Sequence, residues 1–244
     1  RDGACQAVTQ GSGEQYLSAF ALLLHASPFQ LSVLSALPQL IGTGAQLVSV
    51  KLLQWFPNRK ALISAGTVGQ AFAWIPIVLL PLLLPQWGPW LVVGGAAAYF
   101  ACAQFTTPAW NSLIADWLDQ HERGAYFARR SQIIASLSFF ALCGAGWVLS
   151  LWQHSTAAWW GFVLIFSVAG SARILSILAL SPVQDVHPTA HREAQQGFRG
   201  FFRQSATKDF RRFLLFSGLM HASVLIAGPF FVLYILQDLH LSYF

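Results

Sequence analysis

The sequence predicts an all-α, polytopic membrane bundle of about seven transmembrane helices. Three observations carry that reading. Only 9% of the 244 residues are charged and 55% are hydrophobic, with a mean hydropathy of +0.53. A soluble domain carries about 25% charged residues and must cover its surface with polar groups however large its core. The apolar residues also fall into runs of spanning length, about 20 residues each, and the basic residues are sorted to alternate connections between those runs.

The first run, about 4–26, is the least regular, because Gln6, Gln10, Glu14 and Gln15 interrupt it. The second, about 29–55, has Ser27 as N-cap and Pro28 at the first helical position. The third, about 60–84, is ended by Pro85 and Gly88. The fourth covers about 89–118, the fifth about 131–152 and the sixth about 157–181, closed by Pro182. The seventh is about 212–236, and Ser242-Tyr243-Phe244 would open an eighth. Residue 1 is Arg and the chain stops just past a spanning run, so a fragment of a longer protein is expected. The expected division is a six-helix unit over 1–181, a connection over 182–211, and helix seven with the start of a second half over 212–244.

The connections alternate in charge. "HASPFQ", "PQWGP" and "QHSTAA" hold no Lys or Arg. The others hold Lys51, Arg59 and Lys60, then Arg123, Arg129 and Arg130, then Arg192, Arg199, Arg203, Lys208, Arg211 and Arg212, which makes twelve of the fourteen basic residues. Cytoplasmic loops are enriched in Lys and Arg, so the loops around Arg59, Arg123 and Arg199 are expected inside and those around Gln86 and His154 outside. The net charge of +5 then reflects orientation and contact with anionic headgroups in the lipid bilayer; no nucleic-acid partner is expected. "GFRGFFRQSATKDFRRF" interleaves Phe with Arg and Lys, a pattern that suits a segment lying at headgroup level.

Polar residues inside lipid are costly unless they face protein or water. Here they form stripes. Ser35, Gln39, Gly42, Gln46 and Ser49 share one helical face, as do Gln104, Thr107 and Asn111, while Ser217 and His221 lie one turn apart. Single Ser and Gly residues read as helix–helix packing points. Gln39, Gln46, Gln104 and Asn111 together read as lining one polar cavity. Three ionisable residues fall inside spans. Glu14 is a candidate for proton coupling or cation recognition. Arg173 is expected to snorkel to the headgroups, with carboxylate pairing or anion recognition as alternatives. His221 is a neutral hydrogen-bonded histidine or a proton relay.

No HExxH, GxSxG or Walker-type glycine loop is present, so no enzyme activity and no cofactor are expected. Gly94-Gly95, Gly144 and Gly146 read as packing sites. Cys5, Cys102 and Cys143 form neither a metal-ligand spacing nor a disulfide framework.

The pattern of six spans, a long basic connection and a further span resembles the major facilitator superfamily. "QLVSVKLLQWFPNRKALISAG" is placed like that family's loop between helices two and three, G-x-x-x-D-R-x-G-R-R/K. Only Arg59 and Lys60 match; the aspartate and both glycines are absent. "PAWNSLIADWL" with "ERGAYFARR" is similar to a pattern of a bacterial subgroup, matched at Pro108, Trp110, Asp116, Arg123, Gly124, Tyr126, Arg129 and Arg130. "ALPQL" and "GPFFVLYILQDL" fit the same subgroup. The resemblance implies secondary transport of a small solute by alternating access across a bacterial inner membrane. It also implies a missing C-terminal half as partner, with protons as the co-substrate that Glu14 suggests. Asp116 with Arg123, Arg129 and Arg130 is expected to form an inner gate around a turn at Gly124. The alternative is a seven-helix receptor or sensor.

Overall fold

The computed structural model describes residues 2–55, 58–119, 121–152, 158–180 and 208–235. Among them every regular element is a helix. The first span is broken: α1 (Asp2–Ser12) passes through a 3₁₀ turn (Glu14–Tyr16) into α2 (Leu17–Leu23). The long helices are α3 (Pro28–Trp55), α4 (Arg59–Leu83), α5 (Gly88–Trp117), α6 (Arg123–Trp152), α7 (Ala158–Leu180) and α8 (Lys208–Leu233).

Local chemistry sets the helix ends. After α2 the amide of Ala26 reaches the carbonyl of Ala21, and that of His25 reaches Leu22. His25 takes a φ of 60°, the left-handed residue that such a closure needs. Ser27 and Gln30 then cap α3 reciprocally: the Gln30 amide donates to Ser27 Oγ (3.3 Å) and the Ser27 amide to Gln30 Oε1 (2.8 Å). Asn58 Oδ1 accepts from the Ala61 amide and caps α4.

Two helices start earlier than their apolar runs. α6 begins at Arg123 instead of about 131, and α8 at Lys208 instead of about 212. Hydropathy marks the part of a helix that sits in hydrocarbon, whereas backbone hydrogen bonding continues into the headgroup layer wherever side chains can reach water. Thirty residues at about 1.5 Å each reach about 45 Å, well beyond a hydrocarbon core of about 30 Å. Gly124 therefore lies within the first turn of α6, and the connection from α5 is made at 118–122. The amphipathic segment expected over 182–211 lies outside the described residues as far as 207, as do Arg192, Arg199, Arg203, His154 and Ser242–Phe244.

From the first span to α7, successive spans alternate in direction. Asp2, Arg59, Asp116, Arg130 and Ser176 meet at one end, the basic end; Leu24 with Gly88, and Phe29 with Trp90, meet at the other. α5 packs against α3 and α4, α1 against α6 and α7, α7 also against α4, and α8 against α3. Four helices are long and apolar enough to cross a membrane among the described residues: Pro28–Leu53, Arg59–Leu83, Arg123–Trp152 and Ala158–Leu180. α5 is also 30 residues long.

The main core is aromatic. Phe20 of α2 sits against Trp159, Phe162 and Phe166 of α7 at 5.1–5.2 Å, and Trp74 of α4 joins Phe166 to Tyr99 of α5. Outward, Leu40, Leu47, Phe72, Leu83, Phe140 and Leu151 are more than half exposed, the surface expected of a protein whose solvent is lipid or further apolar helices.

Helices approach one another closely at several glycines. A Cβ on Gly11 would stand 2.2 Å from the Ser138 carbonyl oxygen and 2.9 Å from the Leu142 amide nitrogen. Gly95 would meet Ile77 at 2.4 Å, whereas Gly94 and Gly144, expected as packing sites, face open space. Gly11→Ala should therefore push α1 off α6 and destabilise the fold by about 1–3 kcal/mol, while Gly144→Ala should be neutral or slightly stabilising. Thermal unfolding of the two purified variants in one detergent is the check. Equal melting temperatures would show that α1 and α6 are not held this close.

Candidate functional site

Four residues of the first span, Asp2, Gln6, Gln10 and Glu14, are spaced four apart and so fall on one face of α1 and its 3₁₀ extension. That face borders a cavity of about 280 Å³ between α1, α4, α5, α6 and α7. α4 contributes Ile63, Thr67 and Gln70; α5 contributes Tyr99, Phe100, Gln104, Thr106, Thr107, Trp110 and Asn111; α6 contributes Phe127 and Arg130; α7 contributes Arg173.

The break in the first span places Glu14. Gly11, Ser12 and Gly13 precede it, and a Cβ on Gly13 would lie 2.6 Å from the Trp74 ring. The indole packs where no side chain stands, the helix tightens to a 3₁₀ turn, and the Glu14 carboxylate accepts a 2.6 Å hydrogen bond from the Tyr99 hydroxyl. Arg173 does not snorkel. It is 5% exposed, and its Nε (2.7 Å) and Nη2 both donate to Gln70 Oε1. Arg173 is buried where α7 packs against α4, so the chain provides an internal acceptor in place of the headgroups. Arg173 and Glu14 border the same cavity.

Toward the basic end a second group ties four helices together. Arg130 of α6 donates to Gln6 Oε1 at 3.0 Å, approaches Asp2 at 3.7 Å and stacks 4.0 Å over the Trp110 ring. Ser176 of α7 donates to Asp2. Trp110 also packs against the small cluster of Ile63, Ala109, Leu113 and Leu180.

Asp116 is placed differently from expectation. Its carboxylate pairs with Arg59 Nη1 at 2.5 Å, and the same guanidinium donates to Ser112 Oγ at 3.0 Å. Arg59 is 4% exposed. It is the first residue of α4, where the helix dipole disfavours a cation, but the C-terminal turn of α5 brings Asp116 and negative dipole to it. Arg123 and Arg129 are exposed on the first turns of α6, with Arg123 Nε donating to the Leu118 carbonyl. Lys60 is half-buried beside Arg59.

Of the residues expected at one cavity, Glu14, Gln104 and Asn111 line it and Gln39, Gln46 and His221 do not. The α3 stripe is a packing seam: a Cβ on Gly42 would lie 2.9 Å from Gln104 Cγ, and Ser49 is fully buried. Gln39 and Gln46 are half-buried along that helix. His221 is exposed on α8, its Nδ1 2.9 Å from the Ser217 carbonyl oxygen. Asp2, Gln6, Gln10, Gln70 and Tyr99 line the cavity as well; the four-residue spacing on α1 is the sequence signal that marks the first three.

A family model of the Major Facilitator Superfamily matches residues 7–244. The chain belongs to the major facilitator superfamily. No curated protein and no solved structure matches it. As a major facilitator protein the chain is an integral, multi-pass membrane transporter and not an enzyme, and its setting is the lipid bilayer and a small-molecule substrate. No observation favours the seven-helix receptor. Among the described residues no group of His, Cys, Asp and Glu could hold a metal ion.

Proposed function

We propose that this major facilitator protein carries out secondary active transport of a small solute by alternating access, in the cytoplasmic membrane of a bacterium. In this reading the cavity is half of the substrate site, a second group of helices completes it, and the chain divides at 1–181, 182–211 and 212–244. The observation that carries the reading is the cavity itself. An apolar bundle spends Glu14, Arg173 and an array of carboxamides on one internal space, and ionisable groups at that depth are costly without a task. A discontinuous helix bordering the site supports it further, since broken spans supply polar backbone and side chains at mid-membrane.

Glu14 is the proton-coupling group in this proposal, with Tyr99 as its hydrogen-bond partner. In the full-length transporter, Glu14→Gln should abolish uptake driven by a proton gradient while solute exchange stays measurable. Uptake that is unchanged across pH in the variant would remove Glu14 from the coupling role.

The basic end faces the cytoplasm in the same proposal, supported by the sorting of Lys and Arg. With Cys5, Cys102 and Cys143 replaced, a single cysteine at Gln86 should react with an impermeant thiol reagent in intact cells, and one at His121 should not. The reverse pattern would invert the topology.

A further inference from the structure

We propose that a second cavity, at the basic end where α6 meets α1, α5 and α7, is a binding site for an anionic phospholipid. This cavity measures about 450 Å³ and lies between the start of α1, the end of α5, the start of α6 and the end of α7. It has a polar end and an apolar wall. Tyr126, Arg129 and Arg130 form the former; Ile114, Ile133 and Leu180 belong to the latter.

The order along α6 matches the order of groups in a phospholipid. Arg130 and Ile134 are one turn apart, about 6 Å along the axis at 1.5 Å per residue. The interfacial layer on each side of a bilayer is about 5–8 Å thick, so a phosphate held at the arginines leaves its first acyl carbons beside the isoleucines. From there Ile133, Leu137 and Phe140 continue as an exposed stripe at i, i+4 and i+7, a track on which an acyl chain can lie.

The charges favour an anion. The charged residues on the wall are Arg129, Arg130 and Asp2, a net charge of +1. Asp2 is engaged by Ser176 and faces Arg130 at 3.7 Å. Arg130 is held in place by Gln6 and Trp110. Arg129 makes no hydrogen bond or ion pair among the described residues; its five donors remain for a ligand, and a guanidinium fork suits a phosphate. A soluble phosphate ester would satisfy the arginines but leave the isoleucine wall uncovered, and a zwitterionic lipid would bring its own cation beside them. An anionic phospholipid uses both parts.

The test is a titration of the full-length transporter in detergent, following thermal unfolding as phosphatidylglycerol, phosphatidylcholine or glycerol phosphate is added. Phosphatidylglycerol should stabilise with a half-saturating concentration at least tenfold below that of phosphatidylcholine, and glycerol phosphate should have no effect at the same concentrations. Arg129→Gln and Ile133→Asn should each raise the half-saturating phosphatidylglycerol concentration at least tenfold. Arg123→Gln, an equal change of charge on the same helix outside the cavity wall, should leave it unaltered. Equal weakening by Arg123→Gln would reduce the effect to general surface charge. Equal stabilisation by glycerol phosphate would make the ligand a soluble phosphate, and no preference for phosphatidylglycerol would end the proposal.

Discussion

Gln70→Leu should destabilise the transporter by about 2–3 kcal/mol. Arg173 is a buried cation whose only described acceptor is the Gln70 side-chain oxygen, reached by two guanidinium nitrogens. Leucine fills similar space and accepts nothing, so two charged donors lose their partner. Stranding a buried polar donor costs about 1–3 kcal/mol and a charged one more, with about 3–5 kcal/mol typical when a fully buried pair is broken. Arg173 borders the cavity, where part of its hydration can be regained, which holds the expectation below the cost of a fully buried pair. Arg173→Met alone strands only a neutral carboxamide and should cost about 1–2 kcal/mol. The double variant Gln70→Leu/Arg173→Met removes both partners and should recover most of the stability, because apolar replacement of a whole buried polar pair is often nearly neutral. Transport should stay lost in all three if Arg173 serves the solute site. Melting curves for the four proteins form a double-mutant cycle. Additive losses, or a Gln70→Leu protein as stable as its parent, would mean that the pair does not hold Arg173.

The spans were legible because lipid imposes a simple rule: apolar runs about 20 residues long, with charge sorted between them. Ser27 and Pro28 marked the start of α3 for an equally local reason, since a cap is chemistry among four adjacent residues. What the sequence hid was which helices touch. Gln39 and Gln104 look alike in their runs, yet Gln104, packed against Gly42 of α3, also borders the cavity and Gln39 does not. Arg173 reads as a snorkelling arginine until Gln70, 103 residues away, is seen beside it. The same blindness affected Asp116. Arginines seven to fourteen residues along the chain looked like its partners, but a helix starting at Arg123 carries Arg129 and Arg130 along its own axis. The partner came from α4, 57 residues earlier.

That partner sharpens the gate expected at the basic end. Asp116→Asn should raise the accessibility of a cysteine at Asn111, probed from the basic side, by about 5- to 150-fold, the range of a typical conformational coupling of about 1–3 kcal/mol. Exposed ion pairs contribute only about 0–1 kcal/mol, and on that scale neutralising exposed Arg123 or Arg129 should change little. Arg59–Asp116 differs because the Arg59 side chain is 5% exposed and that of Asp116 33%. Asparagine keeps an acceptor but removes the charge, and Arg59 then stands buried at the positive end of its own helix. The variant should relieve this by parting α4 from α5 at that end, which opens the cavity next to Asn111. The charge-reversed pair Arg59→Asp/Asp116→Arg puts each charge at the helix end that favours it and should return accessibility toward its starting value. A variant that melts earlier with unchanged accessibility at Asn111 would make the pair a static brace between α4 and α5. In that case the basic end of this major facilitator protein is gated elsewhere.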